Sequence, residues 1–536
     1  MTTTQASRVA VTVEQAGPRA RTVALVAAIA GAVTLVIRLA LHVSGFDLYG
    51  DEIIYTNLGR SVISGGFPNF EGGIFFLHGP AFFYLEAGWA RLVGSQPGQM
   101  SWVFAMRGLN ALLAGATAVV VVLLGTRVSS LRVGAAAGAL FAVDPFCIRQ
   151  NDRVLLETSM MFWILLGYLV FIPLVGREPS RRDWGPAIGA GLLFGCAVLT
   201  KDEASLISVF PLLIAGIFGW GPRRAATLVT VAVAAAVYAV YVIVVAVNGH
   251  FRFFWETKTF GLQRMLGLVQ ITGFHSSGGG SLLTRLSAEA NVFWSTYLVL
   301  LLAVPMMLLV LRRGSARPRM MALVYCAAAL TMAYAVLFGT LEEQELYLLV
   351  VPSTLIIPLA AVELSALWRS RRPVRRGHPS RALASVMVVP LALVLGMNVF
   401  TCVQWLRQPD DAFVNLYRYV TTHVPRGTVI AYDGDADTPY SLYGLYQIGY
   451  WPTPAALSAS HAPYLVVLWG SVTEGYSNLT TAHARQLTSR GRPLFSQWGR
   501  TNGQVVLYEL PPAARPVRAR HSRVRHRRHR AHTRKV

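Results

Sequence analysis

The sequence is 536 residues long, 54% of them hydrophobic and 14% charged, with a mean hydropathy of +0.47. A soluble domain carries about 25% charged residues, so a water-soluble fold is excluded. The formal charge of +22 would point to nucleic acid in a soluble protein; here cytoplasmic loops and a basic tail account for it.

Apolar runs close to the roughly 20 residues that cross a hydrocarbon core recur along the chain. The polar stretch Met1–Arg21 precedes the first, and no A-x-A-like site follows it. That pattern reads as a retained signal-anchor. Eleven spans are predicted, over 23–43, 102–126, 133–148, 155–175, 185–200, 203–221, 225–247, 291–311, 320–340, 346–367 and 382–403. Short loops rich in Lys and Arg stay in the cytoplasm. Such residues fill every second connection: Arg127 and Arg132; Arg177, Arg181 and Arg182; Arg223 and Arg224; Arg312, Arg313, Arg317 and Arg319; and six arginines in 369–381. The rule places segment 1–22 inside and the C-terminus outside.

The opposite connections carry the acids. Loop 44–101 holds Asp47, Asp51, Glu52, Glu71, His78 and Glu86. Short connections hold Arg149, Asp152 and Arg153, then Lys201, Asp202 and Glu203, then Glu342, Glu343 and Glu345. Loop 248–290 carries Lys258 and Arg264. Residues 404–510 form a final outer domain with strand-like runs at Thr428–Tyr432, Tyr464–Trp469 and Val505–Glu509, read as a small α/β unit. Residues 511–536 contain ten Lys/Arg, four His and no acid; this is a solvated, disordered tail, or one held by anionic lipid or wall polymer. The predicted fold class is thus an all-α polytopic membrane protein with a small extracytoplasmic α/β domain. The four cysteines fall in apolar runs without metal-ligand spacing, which predicts embedded thiols.

Three groups can carry chemistry. Adjacent acids point in two directions from a helix, so of Asp51 and Glu52 one can face a substrate while the other holds a partner; an acidic helix start that complements the dipole is the plainer reading. Lys201 ends a span, and the chain has only three lysines, Lys201, Lys258 and Lys535. A compact ammonium suits a phosphate oxygen, although a lysine at a helix end also snorkels. Glu157 enters the fourth span, where a carboxylate is expensive and so a functional candidate, and Arg153, four residues before it, can pair with it.

The Asp-Glu pair after the first span, Gly79-Pro80 before Phe82-Phe83-Tyr84, Arg153-x-x-x-Glu157, Leu199-Thr-Lys201, and Glu345-Leu-Tyr347 before Pro352 occur in that order. Over residues 23–365 this resembles the GT-C superfamily of lipid-carrier-dependent glycosyltransferases, in the branch of protein O-mannosyltransferases and lipid A aminoarabinose transferases. The resemblance implies an inverting transfer of sugar from a polyprenyl-phosphate donor on the outer face of the cytoplasmic membrane, to an acceptor glycan, lipid or protein. It implies Asp51 as base and Lys201 on the donor phosphate. Glu157 stands where an acidic residue, often aspartate, enters the fourth span, and Tyr347 where an aromatic lies near the donor. Arg153, Lys258 and Arg264 are the other cations on that side, and Asp152 and His78 are further candidates. No cofactor is expected; a divalent metal could replace some cations, but no compact ligand cluster is evident. The rival readings are a secondary transporter or lipid flippase, and a non-catalytic scaffold. Transporters show inverted repeats and Gly/Pro-broken helices, and neither is expected here.

Overall fold

The computed structural model describes residues 20–176, 183–270, 281–371, 380–442 and 444–511. Arg177, Arg181, Arg182, Arg372, Arg375, Arg376, part of loop 248–290 and the basic tail beyond 511 lie outside the described residues.

Among the described residues seven helices are long and apolar enough to cross a membrane: Ala20–Leu41, Gln99–Val128, Leu156–Leu174, Arg224–Val247, Trp294–Arg313, Ala316–Leu337 and Glu343–Trp368. Leu131–Val143 and Pro145–Asp152 make an eighth only if their 62° bend is counted within one span. The expected number of eleven is therefore not confirmed by length and apolarity among these residues. Segments 185–200 and 203–221 are short apolar helices, Trp184–Thr200 and Ala204–Ile217, and 382–403 lies within the helix Ser380–Arg407.

The bend also corrects the expectation that no helix is broken by proline. Pro145 cannot donate the backbone hydrogen bond that would continue the preceding helix. Asp144 instead caps a new one, accepting the Cys147 N–H at 2.9 Å and the Thr296 hydroxyl at 2.9 Å. Residues 145–152 are all buried as a result. Elsewhere small residues bring helices together: a Cβ on Gly191 would lie 2.6 Å from the Thr230 carbonyl oxygen, which seats Trp184–Thr200 against Arg224–Val247. The four cysteines are unpaired.

The helix ends that carry the basic loops meet at one end of the bundle, where Arg317 donates to the carbonyls of Arg127 and Val175, both at 3.4 Å. The 44–101 segment packs away from them. It contains the helices Gly50–Ser61 and Ala81–Val93 and a hairpin of β1 (Asn69–Phe70) with β2 (Gly73–Ile74).

Residues after 411 form the small α/β unit, a sheet of β3 (Val429–Tyr432), β4 (Gln447–Tyr450), β5 (Tyr464–Leu468), β6 (Arg492–Gly499) and β7 (Gly503–Glu509) in the order β4-β3-β5-β7-β6. β3 runs parallel to β4 and β5, whereas β7 is antiparallel to β5 and β6. The three strand-like runs in the sequence are β3, β5 and β7. This unit shares a hydrophobic core with the first loop: Ile53, Leu58 and Phe83 pack in one cluster with Phe413, Leu416, Val466 and Leu507. Polar clamps reinforce it. The buried Asp47 carboxylate accepts the N–H groups of Phe413 (2.5 Å) and Val414 (3.2 Å), and Arg500 donates to the Gly45 carbonyl at 2.9 Å.

Candidate active site

Asp51 and Glu52 open the helix Gly50–Ser61, and their side chains part. Glu52 is fully buried and accepts two hydrogen bonds from Arg107, Nε at 2.8 Å and a terminal nitrogen at 2.7 Å, with the Val154 N–H at 2.9 Å. Arg107 also donates to the carbonyls of His42, Phe46 and Asp47. Of the two catalytic candidates Asp51 and Glu52, Glu52 is thus the one that holds a partner: it ties this helix to Gln99–Val128 and fixes the direction of its neighbour.

Asp51 faces a cavity of about 510 Å³. The same cavity is lined by His78, Lys201, Lys258 and Arg264, so five of the ten candidates meet there although they are up to 213 residues apart in sequence. Lys201 ends Trp184–Thr200; its Nζ lies 2.8 Å from a Glu157 oxygen and 3.4 Å from Glu203. Lys258 and Arg264 belong to the helix Phe251–Met265, and pair with Asp202 (2.5 Å) and Glu342 (2.7 Å). Gln344 bridges the two sides, donating to Glu342 at 2.8 Å and to Asp51 at 3.4 Å.

Gly79 explains how loop 44–101 reaches this place. A Cβ there would come within 2.0 Å of the Leu199 carbonyl oxygen, so only glycine lets the loop lie on the chain two residues before Lys201. His78 is held between the rings of Tyr55 and Phe75, at 6.2 and 5.9 Å. Burial, with Lys201, Lys258 and Arg264 nearby, pushes its imidazole well below its ordinary range, so His78 is neutral.

Five carboxylates line the cavity against three cations, and burial decides how much of that negative charge is expressed. Burial raises Asp51 to about 7, helped by Glu342 and Glu157 and opposed by Lys201 and Arg264. Glu203 is raised for the same first reason. At Lys201 burial disfavours the charge, but Glu157, Glu203 and Glu345 outweigh it and the ammonium is held well above its usual range. The site thus keeps its cations and can hold acids partly neutral.

The other candidates lie outside the cavity. Arg153 is buried over the Tyr49 ring at 4.8 Å, donates to Thr501 at 3.1 Å and sits 3.7 Å from Glu343; as a phosphate ligand it is corrected to a brace between the bundle and the sheet unit. Asp152 is buried with neither carboxylate oxygen hydrogen-bonded. Tyr347 is turned back into the bundle, its hydroxyl accepting from Asn151 at 2.8 Å. Glu157 acts behind Lys201. Asp202, Glu203, Glu342 and Gln344 line the site without having been singled out; for the first two, adjacency to Lys201 was the available signal. Among the described residues no group of three or more His, Cys, Asp or Glu is arranged to hold a metal ion.

Residues 84–263 match the family model of dolichyl-phosphate-mannose-protein mannosyltransferase, a stretch that includes Glu157, Lys201 and Lys258. No curated protein sequence matches the chain. Among solved structures it is similar to the archaeal oligosaccharyltransferase AglB from Archaeoglobus fulgidus, in complex with an inhibitory peptide and a dolichol-phosphate, at 13% identity over 93% of this chain and 75% of that one, with a TM-score of 0.58. It is also similar to ArnT from Cupriavidus metallidurans bound to undecaprenyl phosphate, at 13% identity over 92% of this chain and 98% of that one, with a TM-score of 0.54. At these identities the likeness is one of fold.

Proposed function

Since this chain carries the GT-C fold and resembles the O-mannosyltransferase and aminoarabinose-transferase branch of that superfamily, we propose that it is an inverting glycosyltransferase. It moves a sugar from a polyprenyl-phosphate donor to an acceptor hydroxyl on the outer face of the cytoplasmic membrane. The observation that carries this reading is the meeting of Asp51 with Lys201, Lys258 and Arg264 around one cavity. Polyprenyl phosphates bound in the two structural relatives support the donor class.

In this mechanism the donor phosphate replaces carboxylates as the partner of the cations. The Asp51 carboxylate takes the proton of the acceptor hydroxyl while its oxygen attacks the anomeric carbon from the face opposite the phosphate. The bond from that carbon to the phosphate oxygen breaks, and the polyprenyl phosphate leaves with the electron pair. Preorganised cations aimed at the oxygen where charge develops lower the barrier, which is the role of Lys201 and Arg264. His78, neutral beside them, adds a hydrogen-bonding group and no charge.

The pH dependence follows from Asp51. Only its ionised form is a base, and its value is about 7, so kcat/KM should rise with pH up to about 7 and level off above it. Below that point the rate should fall about tenfold per pH unit, as for one essential base in the free enzyme. A profile flat through neutrality and down to about pH 5 contradicts the assignment.

Sidedness is read by labelling. Ser458, in the sheet unit, and Ser315, in an arginine-rich connection, are both exposed. In a variant lacking the four native cysteines, an impermeant thiol reagent should label Ser458→Cys in intact cells and Ser315→Cys only after lysis. The reverse pattern puts the cavity on the cytoplasmic side and overturns the orientation.

A further inference from the structure

A second cavity, of about 430 Å³, lies towards the C-terminal end of the helix Gly50–Ser61, where that helix meets the β1–β2 hairpin, the start of Gln99–Val128 and the sheet unit. Its walls carry the amides of Asn57, Asn69 and Gln99, two serine hydroxyls and the Phe70 and Tyr440 rings, with one charge of each sign, Arg60 and Glu71. The Phe70 and Tyr440 rings meet edge to face at 5.0 Å. Arg60 is held in place over the Trp102 ring at 4.6 Å and donates to Asn57 at 3.3 Å and Gln99 at 3.4 Å. The Gln99 Nε2 is buried and has no hydrogen-bond partner.

Both cavities are lined by the helix Gly50–Ser61. Nine residues of helix separate Arg60 from Asp51, about 13 Å at the usual rise. Tyr440 is on the wall of the second cavity; burial raises its phenol, and the carboxylates of Glu71 and Asp51 add to that.

We propose that the second cavity is a subsite for the distal sugars of an acceptor glycan, whose terminal hydroxyl reaches Asp51 past Tyr440. The proposal rests on the glycosyltransferase reading and names the class of its acceptor. A glycan presents many neutral donors and acceptors and apolar ring faces. Amides, which both donate and accept, and a tyrosine with an apolar ring and a polar tip answer both. A peptide strand is captured by adding to an open sheet edge, and β1 and β2 are two residues each, too short to template one.

The test uses the purified full chain with polyprenyl-phosphate sugars extracted from the source cell's membranes. The acceptors are neutral oligosaccharides of graded length cut from the same cell's envelope polysaccharide, beside a Ser/Thr-rich peptide. For the wild type, acceptor KM should fall about tenfold from the shortest to the longest oligosaccharide, the worth of one or two well-placed polar contacts. Tyr440→Ala and Asn57→Ala, on separate elements, should each erase that length dependence with a much smaller change in kcat, and Tyr440→Phe, which keeps the ring, should retain part of it. A wild-type KM independent of length, a length dependence that survives both alanine changes, or transfer to the peptide alone overturns the subsite. These failures leave carrier release intact; a wild type that releases no polyprenyl phosphate under any condition instead removes the transferase reading itself.

Discussion

Replacing Asp51 by Asn is expected to lower sugar transfer by about 10²–10⁴-fold, the usual contribution of a positioned general base, with donor binding retained. The amide is nearly isosteric, and Asp51 faces the cavity, where among the described residues its side chain accepts a hydrogen bond from Gln344 at 3.4 Å, so folding should survive. Glu52→Gln gives the contrast. Glu52 and Arg107 are both fully buried and paired at 2.7 Å, and breaking such a pair leaves an uncompensated charge at a cost of about 3–5 kcal/mol. Glu52→Gln should therefore lower Tm and yield, whereas Asp51→Asn should lower kcat at an unchanged Tm. Near-native kcat in Asp51→Asn moves the base elsewhere.

Lys201→Ala is expected to weaken donor binding and to reduce the rate by about 10²–10³-fold, as removal of one preorganised partner of a developing anion does. In the proposed mechanism both the bound donor and the leaving group carry the negative charge that Lys201 meets. The variant has a second effect, because Glu157 at 2.8 Å is left buried without its cation. The double change Lys201→Ala with Glu157→Gln separates the two: stability should return and activity should not. Lys201→Arg should recover part of the rate, since a planar fork cannot reproduce the contact of a point charge. Unchanged donor KM and single-turnover rate in the alanine variant would remove Lys201 from the site.

The parts of the site that could be read in the sequence are those whose position follows from a span's end. Asp51 comes just after the first apolar run, and Lys201 closes a later one, so alternation of basic and acidic loops is enough to bring them to one side. Lys258 and Arg264 follow from the same alternation. Arg153 and Asp152 were assigned to that side too, but the bend at Asp144–Pro145 turns residues 145–152 into the protein, and hydropathy along a chain does not register a change in helix direction. Tyr347 fails for a related reason. The short turn Glu343–Leu346 sends Gln344 and Glu345 to the cavity and Glu343 to Arg149 and Arg153, so neighbouring residues serve different networks. The split between Asp51 and Glu52 was anticipated as a possibility of geometry; that Arg107, 55 residues on, takes Glu52 is a tertiary fact. Likewise β4 and β6 carry polar residues at Gln447, Arg492 and Gln497 that hide their strand character, while the more apolar β5 and β7 were visible.

Sugar transfer from a polyprenyl-phosphate donor is tested most directly by following the carrier. Purified protein in lipid nanodiscs is given membrane-extracted polyprenyl-phosphate sugars and envelope acceptors, and polyprenyl monophosphate, the transferred sugar and the configuration of the new linkage are measured together. One carrier phosphate should be released per sugar transferred, with inversion at the anomeric carbon, and both products should be lost in Asp51→Asn. Donor that binds the wild type but is never cleaved, or that crosses a sealed bilayer intact, would contradict this transfer.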